Sequence, residues 1–97
     1  MPLQMRIYII NRGALQTFAE EWKQTIKPLR EKIGSNIPDA WTVCETNQFI
    51  WLMHYSSPES RASLDQAFHQ HPERRATPPD PARHIARMQN LFIDPVE

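Results

Sequence analysis

The segment QFIWLMHY, Gln48–Tyr55, constrains the fold more than any other part of the chain. It reads as a β-strand, in which successive side chains point to opposite faces of a sheet. Phe49, Trp51, Met53 and Tyr55 then share one face, and Ile50, Leu52 and His54 share the other. Both faces are largely apolar, so both must be covered. The 97 residues make one domain, 1–97, burying roughly two-thirds of its unfolded surface. A single core of that size leaves open what covers the second face.

The rest of the chain supplies cover for one face only. QMRIYII (Gln4–Ile10) predicts a first strand, closed by the turn at Gly13. From Ala14 the period becomes helical, with Leu15, Phe18, Trp22, Ile26, Leu29 and Ile33 on one stripe. Glu20, Glu21, Lys23, Lys27, Arg30, Glu31 and Lys32 fall mostly off that stripe and are expected in solvent. Pro28 implies a kink or break, and Gly34 an end. AWTVCE (Ala40–Glu45) and QFIWLMHY form a hairpin around Thr46-Asn47. Ser57 and Pro58 open a second helix that runs to about His71, with Ala62, Leu64, Ala67 and Phe68 inward. A proline-rich loop follows, then a helical turn at Asp80-Pro81 and a last strand, Arg87–Ile93.

The order β-α-β-β-α-β is the ferredoxin-like arrangement, an α+β fold with two helices on one face of a four-stranded antiparallel sheet. The other apolar face is left bare, and a second copy related by a two-fold axis is the expected cover. A homodimer is the predicted assembly.

Lysine plus arginine equals aspartate plus glutamate at 11 each, which argues against nucleic acid as a partner. No apolar run reaches the roughly 20 residues of a membrane span. MPLQMRIYII lacks the features of a signal peptide, and the single cysteine, Cys44, fits a reducing cytoplasm. Cys44 itself is expected to be a small core residue. The two glycines allow no phosphate-binding loop, so no cofactor is expected.

Several stretches resemble the NIPSNAP family of the dimeric α/β-barrel superfamily. RIYIINRGALQTFAEEW carries Arg6, Tyr8, Gly13, Phe18 and Trp22; WLMHYSSPESR carries Trp51, Tyr55, Ser57 and Arg61; LFIDP closes the chain. The resemblance implies a ferredoxin-like subunit, a sheet-to-sheet homodimer forming the dimeric barrel, and a small-molecule cavity between sheet and helices. Related families include cofactor-independent monooxygenases and cyclases of aromatic polyketides, while NIPSNAP-type bacterial members mostly have no assigned activity.

Arg6 and Tyr8 share one side of the first strand. A buried arginine needs a partner. Arg6 could take a ligand carboxylate or enolate with Tyr8 as donor, or pair structurally with an acid such as Glu45. His54 could serve as a general base or as a hydrogen-bonded core histidine. His69 and His71 are two apart, a spacing that suits no helical metal pair, so no metal is expected, although His69 could face a cavity mouth. Phe18, Trp22, Trp41, Trp51 and Phe68 could hold a planar ligand or pack the core. The expected function is binding of a small aromatic or polyketide-like molecule. The alternatives are a cofactor-independent monooxygenase, cyclase or lyase using Arg6, Tyr8, His54 and His69, and a non-catalytic dimeric interaction module.

Overall fold

A computed structural model describes residues 3–55, 58–72, 81–94 and 96. Strand β1 (Leu3–Ile10) is followed by a helical stretch of three parts: α1 (Leu15–Glu21), a π turn (Trp22–Ile26) and α2 (Lys27–Lys32). Strands β2 (Ala40–Val43) and β3 (Gln48–His54) form the hairpin, α3 covers Pro58–Gln70, and a 3-10 turn (Pro81–His84) leads into β4 (Ile85–Ile93). The strands pair antiparallel throughout in the order β2-β3-β1-β4, the ferredoxin-like topology expected. The sheet of the single chain is open, not closed into a barrel. Among the described residues no helix is long and apolar enough to cross a membrane.

Local chemistry explains the boundaries. Asn47 takes the left-handed conformation that the hairpin turn requires, with φ 56°. Its side chain donates to the backbone carbonyls of Ile10 and Asn11, tying the hairpin to the end of β1. β2 stops at Val43, earlier than expected, and Cys44 and Glu45 lie exposed in the turn rather than in the core or across the sheet. Gly34, at φ 108°, ends the first helical stretch where the sequence placed the stop. The proposed cap Ser57 and the proline-rich loop from 73 to 80 lie outside the described residues.

The helical stretch is continuous, and Pro28 acts on the turn before it. Proline has no N–H to donate and its ring crowds the preceding carbonyls. The chain responds by widening that turn: the Lys27 N–H reaches back five residues to the Trp22 carbonyl, and Thr25 Oγ1 donates to the Glu21 carbonyl at 2.6 Å. One residue more than an α turn holds rotates everything after it by about 100° relative to a straight α-helix. Arg30, expected in solvent, is carried inward and is only 2 % exposed.

The core lies between the sheet and the helices. Tyr8 and Ile10 of β1 and Phe49, Trp51, Met53 and Tyr55 of β3 and its end meet Phe18, Trp22, Ile26 and Leu29, with Phe68 from α3. Phe18 and Trp22 stack edge-on or tilted against Tyr8, Phe49 and Trp51, with ring centres 4.9–5.9 Å apart. The inward side of α3 is Arg61, Leu64, Asp65 and Phe68; Ala62 and Ala67, expected inside, are exposed. The register puts Leu3, Met5 and Ile7 beside Ile50, Leu52 and His54 on the other face, with Trp41 and Leu91 alongside. No element of the described chain covers this face, and a shallow depression of about 450 Å³ opens on it between Ile7, Ile9, Gln48, Arg87 and Gln89.

A two-pronged ion pair fastens the 3-10 turn to α1, with Arg83 Nη1 and Nη2 each 2.9 Å from a Glu21 oxygen. The hydrogen bond from Arg83 holds the Glu21 carboxyl below its ordinary pKa, with the charge of Arg83 and His84 adding to it. A depressed folded-state pKa gives stability that is present above the unfolded value, about 4.3, and lost as pH falls through the folded one. Urea unfolding at a series of acid pH values should therefore show the wild type losing more stability below about pH 4.3 than Glu21→Gln does. Parallel curves for the two proteins would refute this link.

Candidate functional site

Arg6 occupies the middle of β1 on the helix side and is buried. The acid that meets it is Asp65 of α3, not Glu45. Arg6 Nη2 donates to both Asp65 oxygens, at 3.1 and 3.2 Å. Its Nε donates to Gln4 Oε1 at 2.9 Å and its Nη2 also to the Tyr55 hydroxyl at 3.3 Å. Tyr55 in turn donates to Gln4 Oε1 at 3.3 Å. Gln4, Arg6 and Tyr55 thus form a buried polar network beneath α3.

The same carboxylate serves a second buried cation. Arg30 Nη1 donates to Asp65 Oδ1 at 2.7 Å. Arg61, one helical turn before Asp65 and more exposed, stands 3.9 Å from its Oδ2. Aromatic rings wall the cluster: the Arg30 guanidinium lies 4.0 Å from the Phe68 ring centre and 5.6 Å from that of Trp51, and Arg6 lies 5.2 Å from Trp51. Asp65 is thus shared by two buried cations.

The two arginines respond differently. Burial works against the charge of each. For Arg6 it is more than offset by Tyr8, Tyr55 and Asp65, and its pKa lies above the ordinary arginine value. For Arg30 burial and the nearby Arg6 outweigh Asp65, and its pKa lies below that value. Both remain protonated at any pH at which the protein works. Burial raises the Tyr55 pKa, so the hydroxyl stays a neutral donor.

The residues singled out in the sequence do not converge on one point. Arg6 and Tyr8 share the helix side of β1, where Tyr8 packs edge-on against Phe18 and Trp51. His54 points to the opposite, open face, beside Leu3, so the sheet lies between it and Arg6. Trp41 is on that same open face, opposite Ile50, and 46 % exposed. His69 is on the exposed side of α3 with its ring 5.3 Å from that of Phe68. Trp51 and Phe68 line the charged cluster, whereas Phe18 and Trp22 are enclosed in the aromatic core. Among the described residues no three His, Cys, Asp or Glu side chains are grouped to hold a metal ion. Arg30, Asp65, Gln4 and Tyr55 are site residues that the sequence reading did not select. Asp65 had a signal: it lies three residues before Phe68, so both share one helix face, and a buried Arg6 demands an acid there.

Comparison with known proteins bears on the fold and the family. The chain is similar in structure to an uncharacterised NIPSNAP domain protein from Burkholderia xenovorans, with TM-score 0.86 and 18% identity, covering 99% of this chain and 95% of that one. It is also similar to a NIPSNAP family protein from Agrobacterium tumefaciens, with TM-score 0.88 and 19% identity over 99% of this chain and 93% of that one. A more distant likeness is to a candidate antibiotic biosynthesis monooxygenase from Nitrosomonas europaea, with TM-score 0.68 and 12% identity across 100% of both chains. At such identities these likenesses speak for the fold alone. No curated protein sequence matches the chain. The NIPSNAP family model matches residues 3–97, nearly the whole sequence, and the chain therefore belongs to the NIPSNAP family.

Proposed function

We propose that this NIPSNAP protein is a cytoplasmic homodimer that binds a small aromatic or polyketide-like molecule on the helix side of its sheet. The observation that carries the reading is the cluster of Arg6, Arg30 and Asp65 set against the rings of Trp51 and Phe68. Two guanidiniums in an aromatic-walled interior cost folding energy that hydrophobic side chains would not. Convergent polar groups among apolar walls are what small-ligand sites use for orientation. The dimer is supported by the apolar open face, where Trp41, Ile50, Ile7 and the row Leu52, Met5, Leu91 form one patch. A sheet-to-sheet pairing of two copies would bury that patch and complete the barrel.

A catalytic reading stands second, favoured by the likeness of the fold to a candidate antibiotic biosynthesis monooxygenase. Titrating tryptophan fluorescence with hydroxynaphthoquinones and naphthoic acids tests the first reading, because Trp51 touches both guanidiniums. Saturable quenching in the wild type is expected; a signal linear in ligand concentration would remove the binding reading. Chromatography of the bound molecule after incubation in air then separates turnover from binding.

A further inference from the structure

We propose that Arg30, not Arg6, carries the ligand's charge, and that the ligand is a small organic monoanion whose carboxylate or enolate oxygens seat against Arg30 and the Trp51 indole N–H. This rests on the reading that the helix side of the sheet binds a small planar molecule, and it names the chemical class of that molecule and the group that selects it.

Donor accounting separates the two arginines. Arg6 is held on three sides: Nε on Gln4, and Nη2 on Asp65 and on Tyr55. Arg30 has one strong bond, Nη1 to Asp65, and a long one of 3.9 Å to the Met53 sulfur. Its Nε is buried and has no partner among the described residues. A guanidinium left short of acceptors in an apolar interior is strongly unfavourable unless something supplies them.

The deficit extends to the neighbours. Trp51 is fully buried with its Nε1 unpartnered, and the same holds for Nε1 of Trp22, whose ring centre is 5.4 Å from that of Trp51. Arg30, Trp51 and Trp22 are contiguous, and all three orphaned groups are donors. No hydroxyl or amide that both donates and accepts would match such a set as well as an acceptor-only anion. Charge gives the same answer. Asp65 neutralises one of the two buried guanidiniums, so one negative charge more balances the interior. The lowered pKa of Arg30 and raised pKa of Arg6 agree with Arg30 as the under-compensated partner. The Phe68 ring, stacked 4.0 Å from the Arg30 guanidinium, fixes the plane in which its remaining donors lie.

The test compares an acid with its neutral isostere on the intact wild-type protein. Calorimetric titration with 2-naphthoate and 2-naphthamide, in low-salt buffer at neutral pH, is expected to show the acid binding at least about tenfold more tightly. Arg30→Gln, checked for folding by circular dichroism, should abolish that preference, while Arg6→Gln, which removes a charge but keeps the unpartnered Arg30 Nε, should weaken it without abolishing it. Equal affinities of acid and amide in the wild type would overturn the inference and leave small-molecule binding standing. Binding of neither would remove the small-molecule reading and the inference together. An acid preference lost in Arg6→Gln but kept in Arg30→Gln would assign the charge to the wrong arginine here and overturn it too. Should Arg30→Gln fail to fold, the wild-type comparison alone still decides the charge class.

Discussion

Asp65→Ala should lower the unfolding free energy by about 3 kcal/mol, the low end of the range for removing one partner of a buried ion pair. Two guanidiniums would be left without a counter-charge in an interior walled by Trp51 and Phe68. The low end applies because the Asp65 side chain is 20 % exposed, so water relieves part of the repulsion. Against a total stability of about 5–15 kcal/mol for a domain of this size, the variant would sit close to its unfolding threshold. Urea denaturation followed by far-ultraviolet circular dichroism measures the loss. Arg61→Ala, which removes a more exposed cation 3.9 Å from Asp65 together with its contact over the Phe92 ring, is the control and should change stability by less than about 1 kcal/mol. A loss below about 1 kcal/mol for Asp65→Ala would mean that the arginines are better solvated than their burial indicates.

Leu52→Asp should convert the protein from a dimer to a folded monomer. Leu52 projects from the middle of β3 onto the open face, paired across the sheet with Met5. In the proposed dimer that position is central, and a carboxylate placed there would be stripped of water with no cation opposite it, at a cost of several kcal/mol. Light scattering should read twice the 11.4 kDa chain mass for the wild type and the single-chain mass for the variant. The circular dichroism of the variant should be unchanged, because Leu52 contributes nothing to the core under the helices. Met53→Asp, one residue along, provides the contrast: its side chain is fully buried against the helices, and that variant should not fold at all. A wild type that scatters as a single chain, or a Leu52→Asp protein that remains dimeric, would end the sheet-to-sheet proposal.

How far the sequence could be read depended on which period governed each residue. Strand alternation is fixed at two, so the contrast between Leu52 and Met53, and the common side of Arg6 and Tyr8, were legible from the order of residues. The element order followed from the same periodicities, and so did the fold. The charged cluster was harder to see. Arg30 sat among Lys27, Glu31 and Lys32, where an unbroken α-helical period assigns it to solvent, and only the π turn brings it inside. Asp65 is obscured for a different reason. The alanines at 62 and 67 suggested the wrong inward side for α3, although the spacing of Leu64 and Phe68 with a buried Arg6 in search of an acid pointed to the right one. His54 and Trp41 needed the strand register before their distance from Arg6 became visible. No sequence pattern reports which of two packed layers a single polar side chain will join.

The π turn also changes what an insertion or deletion means in this chain. Losing one residue between Trp22 and Ile26 would leave the helix able to close as an ordinary α-helix, with the strands and the Phe18 contacts intact. Because the π turn holds one residue more than an α turn, that deletion would leave Arg30 facing inward beside Asp65. Straightening the turn at unchanged length is the change that would swing Arg30 out by about a quarter turn and leave Asp65 with Arg6 alone. A residue can therefore be lost from this turn without emptying the charged cluster, whereas a change in its hydrogen-bond register at constant length would alter which charges the interior holds.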